Sequence, residues 1–214
     1  MNAIWNQYFK ENSKRVLKVN PDTYRLSAAE KDRITASIQQ FQLGEASEGR
    51  LLRAKAQKFS DDIHDPLYAE TIDFLIKEEN RHSAYLGAFM RDQNIPTKGK
   101  VWIDGLFRIF RNLAGLEVSI RVLVTAEVTA LFYYRALSGS TKSQVLNQIC
   151  HRMLAEEREH VRFQMFNIGL INLKRLPLFS AWMDIAGGLP QWCGKSTGAF
   201  SKMTSWIFGP FSMR

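Results

Sequence analysis

Two Glu-x-x-His steps constrain this chain more than any other feature of its sequence. The first runs from Glu79 to His82, and the second runs from Glu157 to His160. Residues i and i+3 lie on one face of a helix, so each step offers a carboxylate and an imidazole to the same point in space. The steps therefore predict two helices that face a common centre.

Each step is preceded by a lone carboxylate within a largely apolar stretch. Before the second step this is Glu127, and before the first it is Glu45 or Glu48, between which the pattern alone does not decide. Four helices carrying Glu, Glu-x-x-His, Glu and Glu-x-x-His can build a two-metal site in a bundle core. We predict six metal ligands, with Glu48 and Glu156 as alternates: Glu45, Glu79, His82, Glu127, Glu157 and His160.

The rest of the pattern is helical, with no alternating run of β-branched residues. A capping box of Ser27 and Glu30 starts the first helix, and Asp65-Pro66 starts the second. The predicted helices span about Ser27–Phe59, Pro66–Asp92, Leu113–Leu137 and Lys142–Asn167. Short links join antiparallel neighbours, whereas the long middle link permits a crossover. The sequence predicts an all-α four-helix bundle with a long crossover between its second and third helices.

The candidate ligands fall on the stripes that should pack into this bundle. On the second helix, one 4-3 stripe holds Tyr68, Ile72, Leu75, Glu79, His82, Leu86 and Phe89. A bare carboxylate on such a stripe is very costly unless it is paired or bound to metal. On the fourth helix the stripe selects Glu156, but we choose Glu157 because it repeats the Glu79–His82 spacing. The main alternative is a buried layer of ion pairs with Arg81 and Arg158 as partners.

Composition narrows the classes of function. The net charge of +8 is spread along the chain apart from a central cluster at 98–121, so we expect neither a nucleic acid nor a membrane surface as the partner. The two cysteines form no closely spaced pair, and the sequence shows no signal peptide. Both features predict a cytoplasmic protein without a disulfide framework. We divide the chain into an N-terminal segment (1–26), the bundle (27–170) and an aromatic-rich C-terminal segment (171–214) that packs on the bundle or on a partner.

With these motifs, the chain resembles the ferritin-like di-iron carboxylate superfamily over its ligand helices. Gly44-Glu45 resembles the first ligand helix of rubrerythrins, which supports Glu45 over Glu48, and the two Glu-Glu-x-x-His stretches resemble the second and fourth. The pattern and length are also similar to those of the cyanobacterial aldehyde-deformylating oxygenases. The chain has no rubredoxin-type cysteines, which excludes a full rubrerythrin, and its second Glu-x-x-His step departs from a ferritin cage subunit.

The resemblance implies two iron ions, or manganese ions, bridged by Glu79 and Glu157. Glu45 and Glu127 would be terminal ligands, each histidine would bind one ion, and Tyr134 would lie close behind the ligands. Dioxygen or peroxide, an external electron donor and a small, largely apolar substrate would be the partners. Independently of the resemblance, the C-terminal segment offers a homodimer contact as the alternative to packing on the bundle. The alternatives are iron oxidation or peroxide removal without an organic substrate, and hydroxylation of a tRNA base by a site ringed with the 98–121 cluster.

Overall fold

The computed structural model describes residues 2–46, 49–98 and 115–174. In these ranges it has six helices and no strand, so the all-α prediction is confirmed there. The helices are α1 Asn2–Ser13, α2 Ala28–Glu45, α3 Arg50–Asp62, α4 Pro66–Asp92, α5 Leu116–Gly139 and α6 Gln144–Lys174. None of these helices combines the length and the apolar character needed to span a membrane.

The first predicted helix is two helices in the structure. The capping box is present, because Ser27 accepts from the Glu30 N–H and the Glu30 side chain accepts from the Ser27 N–H. However, α2 ends at Glu45 and α3 begins at Arg50, so the prediction of one helix to Phe59 was wrong. The backbone becomes extended at Ala46, directly after α2, and Gly49 precedes α3 with φ 63°, a left-handed conformation that glycine adopts without strain.

Side-chain contacts show the direction of α1 and of the α2–α3 pair relative to α4. Asn2 bonds Asp65 and Asn12 bonds Glu78, so α1 runs parallel to α4. The α2–α3 pair runs antiparallel to α4, because residues later in the pair contact residues earlier in α4. Leu26 contacts Gln93, Gln42 contacts Ser83, and Arg53 contacts Asp73.

Helices α4 and α5 run in the same direction, although they follow one another along the chain. Helix α6 is antiparallel to α4, because His82 contacts Glu157 whereas Glu79 contacts His160. Helix α5 is antiparallel to α6, because their adjoining ends are joined by a bond from Ser138 to Asn147. Helix α5 is also antiparallel to the α2–α3 pair. Ser37 of α2 contacts Tyr133 near the end of α5, whereas Lys55 of α3 contacts Ser119 near its start.

A polar layer divides the core into two apolar layers. Along α4, Ile72 and Leu75 belong to one apolar cluster and Leu86 and Phe89 belong to the other. Between them, the buried residues of α4 include Glu78, His82 and Ser83. The order is reversed along α6, where the cluster that contains Phe89 comes first. The predicted ligands on α4, α5 and α6 therefore lie midway along their helices, between the two layers.

The sequence favours core packing for Phe132, Tyr133, Tyr134 and Phe163, and one of these four residues does not pack there. Tyr134 and Phe163 are fully buried, and the half-buried Tyr133 stacks on Phe41. Phe132 is 75% exposed. It lies two residues before Tyr134 and hence on nearly the opposite side of α5, so the prediction for Phe132 was wrong.

Candidate metal centre

The structure brings the six predicted ligands together in two overlapping groups. In each group, one ligand atom from every residue lies within 4.8 Å of the others. The first group is Glu45, Glu79, His82 and Glu157, and the second is Glu79, Glu127, Glu157 and His160. Glu79 and Glu157 belong to both groups, so they lie between two positions that could each hold a metal ion. The alternate ligand Glu48 is outside the described residues.

Four helices contribute side chains to the cluster: α2, α4, α5 and α6. Glu45 is the last residue of α2, so the break before α3 comes directly after a candidate ligand. His82, Glu157 and His160 are fully buried. The side chain of Glu79 is 19% exposed and gives the cluster its most accessible carboxylate.

The two histidines present the same ring atom to the cluster. His82 Nδ1 is 3.1 Å from a Glu157 oxygen and 3.9 Å from a Glu45 oxygen. His160 Nδ1 is 2.9 Å from Glu79, 3.2 Å from Glu157 and 3.7 Å from Glu127. The imidazole rings are near parallel, with centroids 5.6 Å apart. Each histidine therefore directs one nitrogen toward its own group of carboxylates.

Several of these close contacts are not hydrogen bonds. Glu79 Oε1, Glu157 Oε1 and His82 Nδ1 are buried and have no hydrogen-bond partner among the described residues. A buried polar atom without a partner costs about 1–3 kcal/mol. Oxygen and nitrogen atoms that lie this close without forming hydrogen bonds can instead share a bound cation. These side chains are therefore suited to hold a metal ion.

The inner carboxylates carry more negative charge than their surroundings balance. Among the described residues, Glu45, Glu79, Glu127 and Glu157 form ion pairs only with the two histidines. Four carboxylates need four positive charges, which two divalent ions supply while both imidazoles stay neutral. Oxygen and imidazole donors suit Fe(II) and Mn(II).

Without metal, protons compensate this charge. Burial and the negative charge of Glu79 raise the pKa of Glu45 to about 8. Burial, Glu79 and Glu157 raise the pKa of Glu127 well above its usual value. Burial alone would lower the pKa of His160, but the charges of Glu79 and Glu157 raise it well above its usual value. Metal binding must therefore displace protons from the cluster.

Tyr134 lies directly behind one candidate ligand. Its fully buried hydroxyl donates a hydrogen bond to Glu45 Oε1. Burial and the charges of Glu45 and Glu157 raise the pKa of this phenol well above its usual value, so it remains a donor. The bond fixes one oxygen of Glu45 and leaves the other directed toward His82.

A second pair of carboxylates lies on the far side of the histidines. Glu156 is 2.9 Å from His82 Nε2, and Glu78 is 3.3 Å from His160 Nε2. A carboxylate at Nε2 keeps the proton on that nitrogen, which leaves the Nδ1 lone pair directed at the cluster. Each carboxylate thus orients the histidine of the other helix.

Arginines balance this outer pair of carboxylates. Arg152 bonds Glu156 at 2.6 Å, and Arg81 lies 3.1 Å from Glu78 and 3.6 Å from Glu156. The ion-pair layer considered as an alternative is therefore present, but it lies behind the histidines and uses Arg152, whereas Arg158 is exposed. Glu78, His82 and Glu156 also meet the spacing for a metal site, but two guanidinium groups already neutralise their carboxylates.

Sequence reasoning missed the contribution of α1. Asn12 is 5% exposed and bonds both Glu78 and Glu156, while the Phe9 ring stacks on His160 with centroids 5.9 Å apart. The available signal was the helical spacing of Asn2, Asn6, Phe9 and Asn12, which form the buried face of α1. Three of these four are asparagines, so hydropathy did not predict that this face is buried.

Comparisons with models of known protein families, with curated proteins and with solved structures found no match.

Proposed function

We propose that this chain is a ferritin-like four-helix-bundle protein that holds two iron or manganese ions and oxidises a small, largely apolar substrate with dioxygen or peroxide. The observation that carries the proposal is the pair of overlapping ligand groups that share Glu79 and Glu157. Two carboxylates common to both groups can bridge two ions, which brings them close enough to act on one oxidant molecule.

The order and direction of the helices support the ferritin-like assignment. The α2–α3 pair and α6 run one way, and α4 and α5 run the other way. A bundle in which the second and third ligand helices are parallel needs a long connection between them, as in ferritin-like folds. Helix α1 and the break after Glu45 are additions of this chain to that plan.

The chain's own residues would bind and orient two ions. Beside the shared Glu79 and Glu157, Glu45 and His82 would be the further ligands of one ion. Glu127 and His160 would be the further ligands of the other ion. Six ligands for two ions leave open positions, at which the reduced pair would supply two electrons to the oxidant. The apolar layers above and below the cluster limit access of water from those two sides, whereas Glu79 is 19% exposed.

The metal content of the purified protein tests the metal-binding part of the proposal. Protein grown with iron and manganese is compared with a Glu79→Ala/Glu157→Ala variant and with a Glu159→Ala control. Glu159 belongs to the second step but pairs with Arg162 outside the cluster. We expect two ions per chain in the wild type and in the control, and almost none in the double variant. Trace metal in the wild type, or full content in the double variant, would overturn the proposal.

The fate of the oxidant separates the proposed activity from its main alternative. Anaerobic Fe(II)-loaded protein is mixed with dioxygen in the presence of medium-chain aldehydes and alkanes, and products are identified by mass spectrometry. An oxidised organic product that is absent with the double variant supports oxidation of a substrate. Dioxygen consumption that yields only Fe(III) and water or peroxide, across all substrates, supports iron oxidation instead.

A further inference from the structure

We infer that Asn12 of α1 is a positioning residue that couples the two halves of the metal centre. Its one amide group holds both carboxylates that orient the candidate histidine ligands. The inference rests on the two-metal function proposed above, and it adds to that function a role for a helix that supplies none of the predicted ligands.

The contacts of Asn12 connect the two ligand groups, the half-sites around His82 and around His160, in a symmetrical way. Asn12 Nδ2 is 2.7 Å from Glu78 Oε1 and 2.6 Å from Glu156 Oε1. Glu156 in turn contacts His82, and Glu78 contacts His160. An amide nitrogen has two N–H donors, so this single group satisfies one acceptor on each side.

The orientation of this amide is determined by a third contact. Arg152 Nη2 donates to Asn12 Oδ1 at 2.9 Å and to the Arg15 carbonyl oxygen at 2.8 Å. Because a guanidinium is only a donor, the atom that faces it must be the amide oxygen, and both N–H groups must face the carboxylates. Arg152 also bonds Glu156, so it fastens the end of α1 to the same network.

This connection makes the order of one half-site depend on the other. An ion at His82 fixes that ring, and the ring fixes Glu156 and through it the amide of Asn12. The same amide then holds Glu78, which orients His160 for the second ion. We therefore expect the second ion to bind at least as tightly as the first. Arg81 also contacts both Glu78 and Glu156, so we expect the two donors at position 12 to strengthen this coupling rather than to be its sole source.

Anaerobic titration of the full chain with Co(II) tests the role of Asn12, with visible absorption as the readout of ligand geometry. Outer partners of metal-ligating histidines are typically worth 10–100-fold in affinity. Because Asn12 acts through these partners, we expect Asn12→Ala to bind Co(II) at most about 10-fold more weakly, in two separate steps and with an altered spectrum. Asn12→Ser keeps at most one donor on a shorter side chain, so we expect it to bind the second ion more weakly than the wild type does and to weaken the coupling.

Asn6→Ala is the matched control. Asn6 lies on the same buried face of α1 and bonds Glu70 and Thr71, away from the cluster. We expect this variant to lose stability in urea but to titrate with Co(II) like the wild type. The comparison separates the docking of α1 on α4 from the specific effect of the amide at position 12.

The outcomes distinguish this inference from the proposed function. A wild type that binds fewer than two Co(II) ions per chain would refute the two-metal centre itself. A wild type that binds two ions, with Asn12→Ser titrating identically, would refute the coupling role alone. Equal loss of affinity in folded Asn6→Ala would also refute it, because any loosening of α1 would then suffice.

Discussion

Glu45→Gln measures the cost of keeping a carboxylate in the metal-free cluster. Burial and the charge of Glu79 raise the pKa of Glu45 from 4.5 to about 8. At pH 7 the folded protein must therefore hold a proton that the unfolded chain releases. One pKa unit corresponds to 1.36 kcal/mol, so the roughly 2.5 units between 4.5 and pH 7 amount to about 3 kcal/mol of lost stability. Glutamine has the shape of the protonated acid and avoids this cost.

The pH dependence follows from the direction of the shift. Since the folded-state pKa of Glu45 is raised, the folded state binds the proton more tightly, and its stability falls as pH rises from about 4.5 to about 8. Below pH 4.5 both states are protonated and the cost disappears. The advantage of Glu45→Gln should thus be about 3 kcal/mol at pH 7 and under about 1 kcal/mol at pH 5.

Urea unfolding of chelator-treated protein at these two pH values is the assay. The gain at pH 7 corresponds to roughly 6–12 °C in melting temperature for a chain of this size. Metal should reduce the advantage of the variant, because free Mn(II) at about 1,000 times Kd stabilises the wild type by about 4 kcal/mol. The Glu45→Gln variant, having lost a charged ligand, should gain less.

Two results would refute this reasoning. One is a metal-free Glu45→Gln that is less stable than the wild type at pH 7, and the other is a stability difference that is the same at pH 5 and pH 7. Glu159→Gln is the control, because Glu159 pairs with Arg162 outside the cluster and should change stability by no more than about 0.5 kcal/mol at either pH.

Three further predictions concern residues around Glu45. Tyr134→Phe removes the donor to Glu45 and should lower the unfolding free energy of Mn(II)-saturated protein by about 1–3 kcal/mol; no change would mean that the bond is not needed to hold the ligand. Gly49→Ala should destabilise by at least about 1 kcal/mol in urea, because φ is 63° and the new Cβ would lie 2.6 Å from Ile76. The matched change Gly44→Ala, in a helix with open space, should stabilise by about 1 kcal/mol, and the same sign for both would contradict the assigned break. Finally, because Glu45 must release a proton to bind metal, the Mn(II) Kd should fall as pH rises from 6 to 8, whereas a Kd that is independent of pH would exclude this competition.

The sequence predicted well which side chains come together, because helical register is a local property. Glu79 and His82 are three residues apart on a strongly patterned helix, and Glu127 replaces an apolar residue on a similar stripe. Once those faces point inward, the ligand atoms must converge. The choice of Glu157 over Glu156 was harder, because both are buried and both reach a histidine. One faces the inner cluster and the other faces the arginines, a distinction that only the packing of neighbouring helices makes.

The elements that sequence reasoning missed depend on contacts between distant segments. The break after Glu45 depends on the backbone conformation of Gly49, and a glycine in a helical pattern signals only a modest cost. Helix α1 packs through asparagines whose partners, such as Glu78, lie more than sixty residues away. A polar face of this kind looks solvent-exposed until its acidic partners are known. The exposure of Phe132 has the reverse cause, since hydropathy alone assigned an outward-facing ring to the core.

Electron paramagnetic resonance of Mn(II)-loaded protein tests the central claim, that two ions share Glu79 and Glu157, most directly. At two equivalents per chain, the account predicts the spectrum of an exchange-coupled pair, which the Glu79→Ala/Glu157→Ala variant abolishes and the Glu159→Ala control retains. A spectrum of magnetically isolated ions, or saturation at one ion per chain, would contradict the two-metal centre.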